Sequence, residues 1–279
     1  MTENTYFWQP YLKNPLPMFF FRAMKYSEYH LFSRHKRGHG IHSPFVFDLV
    51  SFTFRNKIDP DIVFVIEKIR NNLLSDRTKI AVTDLGAGSV KTEGSVRNIS
   101  DIADCSALPL KYCLLLANLT GKFGGENVIE LGTSLGISAM YMAAVRKDAI
   151  VHTIEGCPAL SEIASENFKK AGLENIRLWN SSFDDKLPGL LSDGIKPGLV
   201  FIDGNHRKDA VLGYIKQLSE VMDNESVIVI DDIYLSKSMS EAWSEIKKMK
   251  NVTVTIDLFR MGLVFFKKLM PERNYVIRY

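Results

Sequence analysis

The sequence predicts an α/β fold: a mainly parallel seven-stranded sheet ending in an antiparallel C-terminal hairpin, with an N-terminal helical cap. Three observations predict it. From about residue 125, short apolar runs alternate with stretches of helical spacing, the pattern of strands joined by crossover helices. The last two apolar runs are separated by residues 259–261 alone, too short a link for anything but a hairpin. The first hundred residues carry helical apolar spacing without that alternation.

The elements follow in order. Residues 18–33 form an aromatic-rich helix. Ser43 before Pro44 reads as an N-cap with proline at the first helical position, opening a helix through about Arg55. Asp59, Pro60 and the apolar spacing up to Leu74 predict another. Residues 107–119 form the helix that leads into the first strand. The expected division is a cap or lid over residues 1–104 and a ligand-binding domain over 105–279. In that domain VIEL (128–131), VHTIE (151–155), IRLWNS (176–181), LVFIDG (199–204), SVIVIDDI (226–233), VTVTIDL (252–258) and GLVFFKK (262–268) are the strands. Helices are expected over 138–147, 159–171, 208–222 and 238–249.

With 46% hydrophobic residues the chain can bury a substantial core. A net charge of +3 over 279 residues lacks the concentrated positive charge of a nucleic-acid binder. Cys105, Cys113 and Cys157 form no close pair, which argues against a disulfide framework or zinc knuckle. No run approaches the ~18–20 apolar residues of a transmembrane helix, and the opening segment lacks the basic-then-apolar order of a signal peptide. The expectation is a soluble, cytoplasmic protein. RHKRGHGIHS (34–43) reads as a solvated loop, since Gly38 and Gly40 spoil any regular zinc spacing of His35, His39 and His42. Aromatics on its N-terminal side allow a weak contact with a membrane surface or an anionic substrate. The sequence carries no signal for oligomeric state.

Two segments compete as a ligand loop, VTDLGAGS (82–89) and VIELGTSLGIS (128–138). A nucleotide loop must open into a helix and be followed, roughly 20 residues on, by a strand that ends in an acid for the ribose hydroxyls. The first leads into the polar, glycine-broken VKTEGSVRNIS. The second leads into a good helix and then VHTIE, ending at Glu155. The second is therefore the cofactor loop, and the first a turn in the cap or part of a lid. A dinucleotide loop also needs a middle glycine where the pyrophosphate approaches. Thr133 and Ser134 fill that place, which favours a cofactor without phosphate.

Over about residues 105–268, VIELGTSLGISAMYMA, VHTIE, WNSSFDD, VFIDGNH and IVIDDI resemble the class I S-adenosylmethionine-dependent methyltransferases, in particular the catechol-type O-methyltransferases. The paired aspartates of IVIDDI also resemble the magnesium-dependent sugar O-methyltransferases. The resemblance implies a Rossmann-like fold and S-adenosyl-L-methionine as cofactor. Glu130 and Gly132 would lie against its methionine end, with Gly136 closing the loop. Ser138 would meet the methionine carboxylate, Glu155 the ribose hydroxyls, and Ser182 and Phe183 the adenine. Asp203, Asp231 and Asp232, at the carboxyl ends of neighbouring strands, would hold Mg²⁺, with Asp203 also at the cofactor. Oxygen-only ligands suit that hard ion. Asp232 stands where the catechol enzymes have asparagine, and His206 where they have a lysine base; His206 and Asp203 are the catalytic candidates. The function so implied is metal-assisted methylation of a small-molecule hydroxyl. The alternatives are a non-catalytic adenosylmethionine-fold binding protein and a metal-independent methyltransferase on another acceptor. FIDGNH stands in place of the Asn/Asp-Pro-Pro-aromatic motif that holds a flipped base, so no nucleic-acid partner is expected.

Overall fold

The computed structural model describes residues 16–33, 40–83, 95–267 and 270–279. The basic stretch and the first glycine segment therefore lie largely outside the described residues, including His35, His39 and all of 84–89.

The cap opens with α1 (Leu16–Phe32), α2 (Pro44–Ser51) and α3 (Pro60–Ser75). Both anticipated caps form: Ser43 accepts the Val46 N–H and Asp59 accepts the Asp61 N–H, each followed by proline at the first helical position. Helix α2 stops at Ser51 rather than Arg55. The chain leaves helical geometry at Phe52 and tightens into a 3₁₀ turn, Thr53–Arg55, which buries Phe54. A two-stranded hairpin, β1 (Lys79–Val82) and β2 (Ser95–Asn98), and the short α4 (Ile99–Ser106) follow. None of these was expected, because four-residue strands with half-exposed faces carry almost no apolar alternation.

Helix α5 (Leu110–Phe123) leads into β3 (Asn127–Leu131), α6 (Ile137–Val145), β4 (Ile150–Glu155), α7 (Pro158–Lys170), β5 (Ile176–Asn180), α8 (Phe183–Ser192) and β6 (Leu199–Ile202). Then come α9 (Lys208–Ser219), β7 (Val227–Ile230), α10 (Lys237–Ile246), β8 (Val254–Asp257), β9 (Gly262–Phe265) and β10 (Arg273–Val276). The large sheet has the order β10-β8-β9-β7-β6-β3-β4-β5. Among the described residues β9 alone runs against its neighbours; every other pairing in this sheet is parallel.

Two expectations change here. The sheet has eight strands, the eighth being the polar RNYV of β10, which pairs with β8. The β8–β9 hairpin does not close the edge. Strand β9 inserts between β7 and β8, so the tip that joins β8 to β9 lies beside the carboxyl end of β7.

The strands are buried on both faces, as a helix-covered parallel sheet requires. Alternate residues feed two cores. Val128, Phe201, Val229 and Phe265 pack toward the cap, α5, α6 and α7, whereas Ile129, Ile202, Ile230 and Phe266 pack toward α8, α9 and α10. After β10 the chain clamps α1: Tyr29 donates its hydroxyl to Ile277 O at 2.7 Å, and Arg278 donates to His30 O at 2.6 Å. Among the described residues no single helix is long and apolar enough to cross a membrane.

Candidate active site

The loop after β3 is built around two glycines with positive φ. Gly132 has φ +109°, and a Cβ there would lie 2.1 Å from Asp203 O; the loop rests directly on the end of β6. Gly136, φ +85°, starts α6 with its Cα against the Phe168 ring. Side chains cannot replace either without strain.

Glu130 sits one residue before the end of β3 with no exposure. Its Oε2 accepts the Thr153 hydroxyl at 2.5 Å, while its Oε1 is buried without a hydrogen-bond partner. Burial pushes the carboxyl up to about 7; the Ser138 and Thr153 hydroxyls hold it down, and nearby Glu155 adds to the rise. Glu155, the last residue of β4, accepts the Ser134 N–H at 2.8 Å and the Cys157 N–H at 2.9 Å. It therefore anchors the glycine loop as well as standing where a ribose acid is expected. Ser182 caps α8 by accepting the Asp185 N–H at 3.1 Å, and Phe183 meets Tyr214 edge-on at 6.0 Å.

Gly132, Glu155, Ser182 and Phe183 line one cavity of about 410 Å³, whereas Glu130 and Gly136 are not among its lining residues. Gly132, Ser134, Ser138, Glu155, Ser182 and Phe183 form its wall toward β4 and β5. Asp203, His206, Asp232 and Arg260 form the wall toward β6 and β7. Val82, Thr83, Ser95 and Arg97, from the two strands of the cap hairpin, complete it. The first wall fits adenosylmethionine: Gly132 admits a ligand to the backbone and Glu155 is a strand-end acid, with the buried Glu130 carboxyl and its unpartnered oxygen outside the lining on the neighbouring strand.

The second wall differs from expectation. Asp231 is fully buried and held by Arg260, whose Nε donates to both carboxylate oxygens at 3.0 and 3.1 Å and whose Nη2 donates to Oδ2 at 2.8 Å. Asp232, at φ +52°, pairs with Arg22 Nη2 at 3.5 Å. Asp203 has His206 Nε2 at 3.8 Å from its Oδ1. Burial first, and then Asp231, push the Asp203 carboxyl well up. Burial also raises Asp232, but Arg260, Arg22 and His206 outweigh it and bring that carboxyl below its usual range.

Asp203, Asp231 and Asp232 do not converge as a Mg²⁺ site, and among the described residues no group of three or more potential ligands does so. The physical reason is the pairing. Both oxygens of Asp231 already face a guanidinium, and a dication about 5 Å from that cation would be repelled by roughly 6–7 kcal/mol at an effective dielectric of 20. Sequence reasoning missed Arg22 and Arg260. The available signal was a lone arginine inside an apolar run, in FFFRAM and in DLFRMGLVFF.

The described non-glycine residues with positive φ are Ser134, Asn205, Asp232 and Phe259. All four sit at the carboxyl end of the sheet, in the loops around this cavity. Each costs on the order of 1–3 kcal/mol, and such strain gathers where a ligand is handled.

Residues 129–233 match the family described as a methyltransferase domain. Over 140 residues the chain is 29% identical to an O-methyltransferase of Aspergillus flavus, covering 47% of this chain and 55% of that one. Over 114 residues it is 29% identical to a putative O-methyltransferase of Mycolicibacterium smegmatis, covering 40% and 53%. The chain thus spans about half the length of the curated relatives it matches. Its fold is similar to that of the Podospora anserina methyltransferase PaMTH1, solved with S-adenosylhomocysteine bound, at a TM-score of 0.57 and 14% identity over 82% of this chain and 97% of that one. By its matched domain, residues 129–233 are a methyltransferase domain, and the sheet, the glycine loop and the strand-end acids around it resemble those of the class I S-adenosylmethionine-dependent methyltransferases.

Proposed function

We propose that this protein is an O-methyltransferase that uses adenosylmethionine and acts on the hydroxyl of a small molecule. One observation carries the reading. A single cavity joins the loop anchored by Glu155 to the Asp203–His206 pair, so a cofactor site and a proton acceptor would share one cleft.

When bound, adenosylmethionine supplies a methyl group already activated on a sulfonium. The chain has to bind, orient and manage one proton. Gly132, Ser138 and Glu155, which line the cavity, would hold the cofactor, with Phe183 as an apolar wall. His206 is the proton acceptor. Its Nδ1 is buried, which leaves Nε2 as the atom beside Asp203. Bound adenosylmethionine would supply the methyl group and leave with the electron pair on sulfur, and His206 Nε2 would take the proton that the acceptor hydroxyl gives up.

The test is a screen of hydroxylated small molecules with methyl-tritiated adenosylmethionine, together with calorimetric titration of S-adenosylhomocysteine. Label should move to one acceptor class, and His206→Ala should slow transfer by ~10²–10⁴-fold while leaving S-adenosylhomocysteine affinity intact. Binding of NADH in place of adenosylmethionine would overturn the assignment.

A further inference from the structure

We propose that Arg260 is the resident cation of the acceptor site. Its guanidinium stands among the strand-end carboxylates in the role a divalent ion would otherwise fill, and it attracts and orients the acceptor oxygen as that oxygen loses its proton. The inference rests on the methyltransferase reading above and adds to it that transfer proceeds without a metal ion.

Arg260 is built into place. It sits at the tip between β8 and β9, where Phe259 has φ +69° and Ile233 donates its N–H to Arg260 O at 3.2 Å. The Phe259 ring is wedged among Tyr26, Tyr29 and Tyr234, with centroids 5.1, 5.4 and 5.5 Å away. Backbone and aromatic packing thus fix where the arginine leaves the chain, beside the carboxyl end of β7. The guanidinium lies over the Tyr112 ring at 5.7 Å, grips Asp231 through two of its nitrogens, and still forms part of the cavity wall.

The charges then balance without a metal. Arg260 answers Asp231, and Arg22 reaches in from the cap to answer Asp232. The remaining acid, Asp203, faces His206 rather than a third cation. A metal ion bound to an acceptor would orient its oxygen and stabilise negative charge there. A fixed guanidinium does the same through charge-assisted hydrogen bonds.

The experiment is a Mn²⁺ titration followed by electron paramagnetic resonance, on the full chain saturated with S-adenosylhomocysteine. Wild type should leave all Mn²⁺ free. Arg260→Met should acquire one site per chain that Mg²⁺ displaces, because the acids lose their built-in partner. Wild type that takes up one Mn²⁺ and loses it in Asp231→Asn overturns the proposal. A folded Arg260→Met that binds none overturns it too, and if that variant fails to fold the wild-type titration still decides. Failure of wild type to bind S-adenosylhomocysteine would instead count against the methyltransferase reading, and the metal titration, repeated without it, would remain a separate result.

Discussion

The two walls of the cavity hold their acids in opposite ways. Toward β3 and β4, Glu130 and Glu155 are answered by neutral groups: hydroxyls of Thr153 and Ser138, and the N–H groups of Ser134 and Cys157. Toward β6 and β7, Asp231 and Asp232 are answered by full positive charges on Arg260 and Arg22. A carboxyl held by dipoles has no cation paired to it, so the acids on this side are left without a balancing positive charge. One held by a guanidinium is already cancelled, so the acids of the second wall have their balancing charge within the protein. The difference separates acids answered only by dipoles from acids paired with arginines.

The largest effect should come from breaking the second wall. Asp231→Ala removes the fully buried partner of Arg260, whose side chain is 14% exposed, and breaking a buried ion pair costs up to about 3–5 kcal/mol. Urea unfolding should show that loss, with S-adenosylhomocysteine affinity near wild type in the folded fraction. A loss below about 1 kcal/mol, the worth of an exposed pair, would mean that Asp231 and Arg260 are not a buried pair in solution.

Next in size is a pH effect on the first wall. Glu130 titrates at about 7 in the folded chain against an ordinary 4.5. The folded state therefore binds the proton more tightly than the unfolded one. This contribution to stability is complete below pH 4.5 and is lost as pH rises through 7, by roughly 2–4 kcal/mol in all. Glu130→Gln removes the titration. Between pH 5 and pH 8 the ligand-free wild type should lose more stability than Glu130→Gln, and parallel curves would show that Glu130 is not so perturbed. Smaller again is Glu155→Ala. It deletes a charge-assisted hydrogen-bond acceptor worth ~1.5–3 kcal/mol, which should weaken S-adenosylhomocysteine binding by roughly ten- to a hundredfold in calorimetry. Unchanged affinity would reduce Glu155 to an anchor for the loop.

The same contrast explains what the sequence revealed. The first wall is local: Glu130, Gly132, Gly136 and Glu155 fall within one strand–loop–helix–strand unit, and their spacing alone carries the reading. The second wall is not local. Asp203, Asp231 and Asp232 could be read as strand-end acids, but their partners could not. Arg22 lies 210 residues from Asp232 and arrives on a cap helix clamped by the last residues of the chain. Arg260 reaches Asp231 because β9 pairs with β7, a register no local pattern encodes. A metal was expected because three acids were visible and two arginines were not. Helix α8 escaped for another reason: it is ten residues long and contains Pro188, which breaks the apolar spacing on which a helix is recognised.

Helix α8 supplies the smallest effect, and one that separates two roles of the same residue. Ser182 was expected at the adenine; in the structure its Oγ accepts the Asp185 N–H and also donates to Asp185 Oδ2 at 2.6 Å. An N-cap serine satisfies one of the helix's orphan N–H groups, and Asp184 and Asp185 in the first turn complement the helix dipole. If capping is what Ser182 does, Ser182→Ala should cost about 1 kcal/mol of stability. Ser182→Asp should recover most of it, since aspartate caps equally well. Cofactor affinity should shift little in either, because Phe183 remains fixed against Tyr214. If the hydroxyl instead bonds the adenine, the pattern inverts: Ser182→Ala keeps its stability and loses affinity, and Ser182→Asp does not restore it. Thermal unfolding and S-adenosylhomocysteine titration of the two variants distinguish these outcomes. The first would place Ser182 with the residues that shape the wall, and the second with those that read the ligand.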